Sequence, residues 1–80
     1  MKIVFFAQVR EQLGEAEITL VQDCATVEDL VNLLAQRGEN WSQVLTDPNT
    51  LVAVNQQMAS MQTSLTAATE VAFFPLMTGG

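Results

Sequence analysis

An α+β fold, with a mixed β-sheet and one main helix laid across a single face, is what this sequence predicts, and three observations predict it. Residues 26–38 hold the only wide apolar stripe at helical spacing. Stretches at 2–7, 17–21, 50–55 and 70–74 are rich in β-branched and aromatic residues and are set off by turn chemistry. The first and last are the most apolar, and residues 2–7 are apolar on both parities, the mark of a strand covered on both faces. These two strands therefore belong side by side at the centre of the sheet, and the long connection between them permits parallel pairing.

In the first strand Ile3, Phe5 and Ala7 point one way, Val4 and Phe6 the other. Residues 8–13 follow with helix formers, Val9 and Leu13 four apart, and Gly14 stands where a short helix would stop. Residues 17–21 alternate, with Ile18 and Leu20 on one face, as an antiparallel neighbour of the first strand would. In the main helix Val27, Leu30, Val31 and Leu34 share a face; Leu33 lies off the stripe and widens it. Thr26 is placed to cap its start, Glu28 and Asp29 suit the positive end of the dipole, Arg37 suits the negative end, and Gly38 supplies a left-handed stop.

Residues 40–49 form an irregular crossover. A helical turn at 42–45 is expected there, with Trp41 as a lid on the core edge and Asp47-Pro48-Asn49 as a turn. Residues 50–55 are the third strand. Residues 55–57 read as a polar turn returning through a short edge strand at 58–60, and residues 62–69 as a loop with Leu65 tucked inward. The last strand runs over 70–74 and should stop at Pro75, which has no N–H for a ladder. Only one of Phe73 and Phe74 faces inward, and Phe74 is assigned outward. One helix across a mixed sheet in this order is a β-grasp. A β-grasp domain over 1–75 and a thin tail over 76–80 complete the division of the chain.

Eighty residues, 49% of them apolar and 15% charged, make one small domain with enough apolar content for a core. Its net charge of −6, with Lys2, Arg10 and Arg37 as the basic residues, argues against a phosphate backbone as partner; it suits solubility first and a partner with a basic face second. No apolar run is long enough to span a membrane and no signal segment opens the chain, so a soluble, cytoplasmic protein is expected. Cys24 is the sole cysteine and cannot form an internal disulfide, and the absence of His leaves no ready metal site.

Catalysis by this chain alone finds no machinery. There is no His or Tyr, Glu28 and Asp29 diverge on a helix, and no glycine-rich phosphate loop is present. What remains reactive is the α-carboxylate of Gly80, ionised at neutral pH because its reference pKa is about 3.5. A carboxylate resists nucleophiles until its oxygen becomes a leaving group, as in an acyl-adenylate made with ATP by another enzyme. Gly79 and Gly80 lack Cβ atoms, so the end is thin enough to enter a narrow channel; an idle, frayed terminus is the alternative. Phe74, Leu76 and Met77 would form an apolar patch for a partner to bury.

Val4-Phe5-Phe6-Ala7-Gln8-Val9-Arg10-Glu11, Ala53-Val54-Asn55-Gln56 and Glu70-Val71-Ala72-Phe73-Phe74-Pro75 through Gly79-Gly80 closely resemble the small, sulfur-carrier subunits of molybdopterin synthase. The resemblance runs the full length and implies the ubiquitin-like β-grasp fold. It implies that a ubiquitin-activating-type enzyme uses ATP to adenylate Gly80, which becomes a thiocarboxylate. The tail, with Gly79 giving access and Phe74, Pro75, Leu76, Met77 and Thr78 along the partner surface, would then enter a large catalytic subunit. There its sulfur goes to cyclic pyranopterin monophosphate, and two small and two large subunits form a heterotetramer. No cofactor or metal is bound by the carrier itself. Leu76 departs from the family, which often has a second proline at that position. A thiamine-type sulfur carrier, a ubiquitin-like protein modifier and a plain interaction domain are the competing readings.

Overall fold

The computed structural model describes residues 1–68 and 70–76. Strands β1 (Lys2–Phe5), β2 (Glu17–Thr19), β3 (Thr50–Val54), β4 (Gln57–Met58) and β5 (Glu70–Pro75) form one sheet in the order β2-β1-β5-β3-β4. β5 is central. It pairs in parallel with β1, Ile3 opposite Val71 and Phe5 opposite Phe73, and antiparallel with β3. β2 borders β1 antiparallel, as its alternation indicated, but it ends at Thr19 and leaves Val21 94% exposed.

Three helices cover one face rather than one: α1 (Ala7–Leu13), α2 (Val27–Ala35) and α3 (Glu39–Thr46). α2 is the main one, burying Val27, Leu30, Val31 and Leu34, with Leu33 half-buried at the edge of the stripe. Its first N–H groups have no partner inside the helix and must find one elsewhere. Val27 N–H donates to Thr63 O at 3.1 Å, Glu28 N–H to Met61 O at 2.9 Å and Asp29 N–H to Thr26 Oγ1 at 3.3 Å. The irregular connection before β5 is thus held by the helix it caps, and Leu65 drops into the core beneath it.

At the other end of α2 the structure corrects the expected stop. Gly38 is not left-handed: its φ of 160° and ψ of 166° are extended, and it serves as the N-cap of α3. α2 closes by tightened turns, Arg37 N–H donating to Leu34 O at 3.0 Å and Gly38 N–H to Ala35 O at 3.5 Å. Arg37 lies beyond the helix, and its guanidinium sits 4.7 Å from the centre of the Trp41 ring. The crossover, expected to hold only a helical turn, is the two-turn helix α3, which buries Trp41 and Leu45, four apart on its inner side. Gly14, by contrast, closes α1 in the left-handed conformation at φ 76°, as read from the sequence.

The core lies between these helices and the sheet. Phe5 is its hub, stacked on Phe73 with ring centres 5.9 Å apart and meeting Trp41 edge-on at 5.5 Å. The β1 strand ends two residues earlier than its apolar run because Phe6 caps α1 and Ala7 takes a left-handed φ of 52°. That conformation is uncommon for a residue with a Cβ, and it bends the chain sharply away from the sheet.

Between β3 and β4, Asn55 and Gln56 both have positive φ, at 49° and 68°, the signature of a type I′ hairpin turn. Asn55 also ties the hairpin to the start of β5: its N–H donates to Glu70 O at 2.9 Å, and its Oδ1 accepts from Glu70 N–H at 3.1 Å. Gln56 has only the strain. Gln56→Gly is expected to leave stability unchanged or raise it by about 0.5 kcal/mol, while Gln56→Val should lower it by about 1 kcal/mol or more. Urea denaturation of the variants checks both signs.

Candidate partner interface and carrier end

Alternation along β5 splits its residues between two environments. Val71 and Phe73 go under the helices, while Ala72 and Phe74 go to the opposite face, which no element covers among the described residues. The outward assignment of Phe74 is what the structure shows. On this open face Val4, Ala72 and Ala53 are neighbours in register and make a second apolar cluster, with Phe74 packed against it. Met58 extends that row opposite Ala53 and is 65% exposed. Phe74 stands opposite Leu51 in the next row.

Phe6 borders these rows. Its N–H donates to Phe73 O at 3.0 Å, which carries the β1–β5 pairing one residue past the strand, and its ring is 52% exposed. The bend at Ala7 follows at once, so α1 turns toward the helical layer and leaves Phe6 on display. Leu76, 47% exposed, lies two residues after Phe74 and donates its N–H to Asn49 O at 2.7 Å. Pro75 is the last residue of β5, opposite Thr50. The described part of the chain therefore leaves the sheet at the same end as Phe6. Met77, Thr78, Gly79 and Gly80, predicted to form the reacting tail, lie outside the described residues.

Of the described residues expected along a partner surface, Leu76 is exposed and Phe74 and Pro75 are partly buried, while Phe6 and Met58, both exposed, were not singled out from the sequence. The signal for Phe6 was the paired Phe5-Phe6 just before a helix, where alternation buries one ring only. Met58 needed the hairpin register, which a two-residue turn at Asn55 and Gln56 would have supplied.

The rest of the described surface offers little chemistry. No group of three His, Cys, Asp or Glu side chains suited to a metal occurs among the described residues. A cleft of about 380 Å³ is lined by Met1, Leu20, Gln22, Asp23, Cys24 and Thr66, among others, beside the start of β1. Because β1 and β5 are parallel, this end is the one opposite Pro75. Burial, then Asp29 and Asp23, push the half-buried Cys24 thiol above its ordinary pKa, so it is protonated at neutral pH and a poor nucleophile. No helix is long and apolar enough to cross a membrane among the described residues.

Comparison with known proteins settles the family. The model of the ThiS family matches residues 3–80. The chain belongs to the ThiS family. Two similar ThiS-type relatives are molybdopterin synthase sulfur carrier subunits: that of Haemophilus influenzae is 40% identical over 80 residues, covering 100% of this chain and 99% of the relative. The Escherichia coli subunit is 44% identical with the same coverage. Among solved structures, SAMP1 from Haloferax volcanii aligns with a TM-score of 0.77 at 27% identity, over 99% of this chain and 97% of that one. The ThiS-family chain thus has the ubiquitin-like β-grasp expected from its element order, with three helices on the sheet instead of one.

Two outcomes follow from this geometry. Phe73→Ala should cost about 3–5 kcal/mol, as for a fully buried aromatic, whereas Phe74→Ala should cost less, about 1–3 kcal/mol, because Phe74 is only partly buried on the opposite face; thermal unfolding of the pair measures the difference. Cys24 should react with iodoacetamide several-fold more slowly than a free thiol at neutral pH. Its rate should keep rising to a higher pH than the free thiol's, which a pH series on the folded protein shows.

Proposed function

We propose that this chain is the sulfur-carrier subunit of molybdopterin synthase and acts in molybdenum cofactor biosynthesis. The observation that carries this reading is the end-to-end match, with no part of the chain left over, to two sulfur carrier subunits of that synthase. Residues 1–75 are the handle and residues 76–80 the delivery arm. The reading accords with a fold in which exposed Phe6 and Leu76 and partly buried Phe74 lie beside the root of the tail.

The chemistry resides at Gly80. A ubiquitin-activating-like enzyme in the cytoplasm lets the Gly80 carboxylate attack the α-phosphorus of ATP, with release of pyrophosphate. A sulfur nucleophile then attacks the acyl carbon and AMP leaves, so the carboxylate becomes a thiocarboxylate. Gly79 lets the end pass through a narrow channel in the large catalytic subunit, since neither residue carries a Cβ. Phe74, Pro75, Leu76, Met77 and Thr78 run along the partner surface. Inside, the sulfur passes to cyclic pyranopterin monophosphate; two carriers supply the two sulfurs of the dithiolene, in a heterotetramer of two small and two large subunits.

This chain's own residues do no bond-making beyond offering that acyl group. They position it. Phe74, Phe6 and Met58 present apolar surface that a partner can bury, and aromatic anchors of this kind dominate binding energy.

Incubation with the activating enzyme, ATP and a sulfur source should raise the intact mass by one sulfur minus one oxygen, localised to Gly80 by fragmentation. A chain lacking Gly80 should bind the large subunit and unfold at the wild-type temperature, yet yield no molybdopterin. Synthesis by the truncated chain would sink the proposal.

A further inference from the structure

Past Phe73 the two sides of β5 are treated differently. On the β1 side the chain turns away at Ala7, just after Phe6 N–H has donated to Phe73 O. On the β3 side the pairing goes further. Asn55 N–H donates to Glu70 O at 2.9 Å and Leu76 N–H to Asn49 O at 2.7 Å, so these two bonds lie six residues apart on each strand and share one phase of the antiparallel alternation. Pro75 falls out of that phase, opposite Thr50, where pairing with β3 asks for no N–H. The strand expected to stop at Pro75 therefore keeps its hold on β3 through Leu76.

The carbonyl that holds Leu76 is itself fixed. Asn49 N–H donates to Asp47 Oδ1 at 2.7 Å, closing an Asx turn, and Thr50 N–H donates to Asp47 O at 2.9 Å. Val44 O accepts from Thr50 Oγ1 at 2.7 Å and from Asp47 N–H at 3.4 Å, which seats the turn on the end of α3, and α3 is anchored in the core by Trp41 and Leu45. We propose that Asp47 is a positioning residue for sulfur delivery: through its turn it pins Leu76, so that the arm carrying Gly80 is counted from Met77 and not from Leu76. Four residues, 77–80, reach at most about 14 Å, whereas five reach about 18 Å. A shorter arm on a fixed root samples less space, which raises the effective concentration of its end group at a site the body has docked against. The inference rests on the carrier reading above and adds to it the origin and the aim of the arm.

Amide hydrogen exchange on the full chain, together with single-turnover sulfur transfer from the thiocarboxylated carrier in its complex with the large subunit, tests this. Asp47→Ala removes the acceptor of the turn, and Asp47→Asn keeps an Oδ1 in its place. The Leu76 amide should exchange roughly tenfold faster in Asp47→Ala and at the wild-type rate in Asp47→Asn, while the Asn55 amide at the other end of the same ladder stays protected in both. Transfer at saturating large subunit should slow about threefold to tenfold in Asp47→Ala and recover in Asp47→Asn. Unchanged Leu76 exchange in Asp47→Ala overturns the proposal, as does wild-type transfer by that variant. Equal slowing in Asp47→Asn overturns it too, because the acceptor would then not be the agent, and so does a rise in Asn55 exchange that matches Leu76, the mark of a general loss of stability. Absence of transfer from the wild-type carrier would instead defeat the carrier reading, whereas Leu76 exchange, read on the free chain, judges the clamp by itself.

Discussion

The parallel ladder between β1 and β5 is the constraint on which the rest depends. It sets Ile3 against Val71 and Phe5 against Phe73, and these four residues are almost wholly buried beneath the helices. Parallel neighbours cannot be joined by a tight turn, so the chain between β1 and β5 has to cross a face of the sheet before it returns. The helices, the β3–β4 hairpin and the irregular connection that caps α2 are that return journey. The ladder also fixes where the last strand points: β5 finishes beside the end of β1, at Phe6 and the start of α1.

From this follows the split between recognition and reaction. Alternation on a central strand makes Phe73 a core residue and Phe74 a surface one, a single peptide apart. The covered face supplies stability through Phe5, Phe73, Trp41 and the α2 stripe. The open face can then be spent on contact, because small residues at Ala53 and Ala72 keep it flat between the larger side chains of Phe74 and Met58. A chain of this size could not support a deep pocket as well as a core. On the carrier function proposed above, handing the chemistry to an end group activated elsewhere avoids the need for one.

Much of this was legible in the residues themselves. Four positions at i, i+3, i+4 and i+7 with Thr26 ahead of them gave α2, and doubled apolar parity gave the central strands. α3 was harder to see because Gly38, Asn40, Ser42 and Thr46 are weak helix formers; tertiary burial of Trp41 and Leu45 overrides that propensity. Gly38 was misread because a glycine after a helical stripe serves equally as a left-handed stop or as the extended cap of the next helix, and only the following contacts decide. The bend at Ala7 was invisible, since alanine carries no preference for positive φ and the conformation is imposed by the need to turn after Phe6. Phe74 could be placed by alternation alone. The row of Val4, Ala72, Ala53 and Met58 could not, because membership depends on which strands pair and in what register.

The register also explains why the face has two chemically different ends. Along the strands it passes from Phe6, Phe74 and Leu51 beside Pro75, through the row of Val4 and Ala72 with Glu17 at its edge, to Lys2 and Glu70 at the far side. Apolar contact alone is non-directional, and a partner held only by the first group could sit in several rotations of similar energy. Most of those rotations would aim the tail away from a channel. An arm of a few residues can deliver its end only if the body is held in a single orientation. The same ladder that builds the core fixes where Phe6 and Phe74 stand relative to Pro75 and Leu76, the root of that arm.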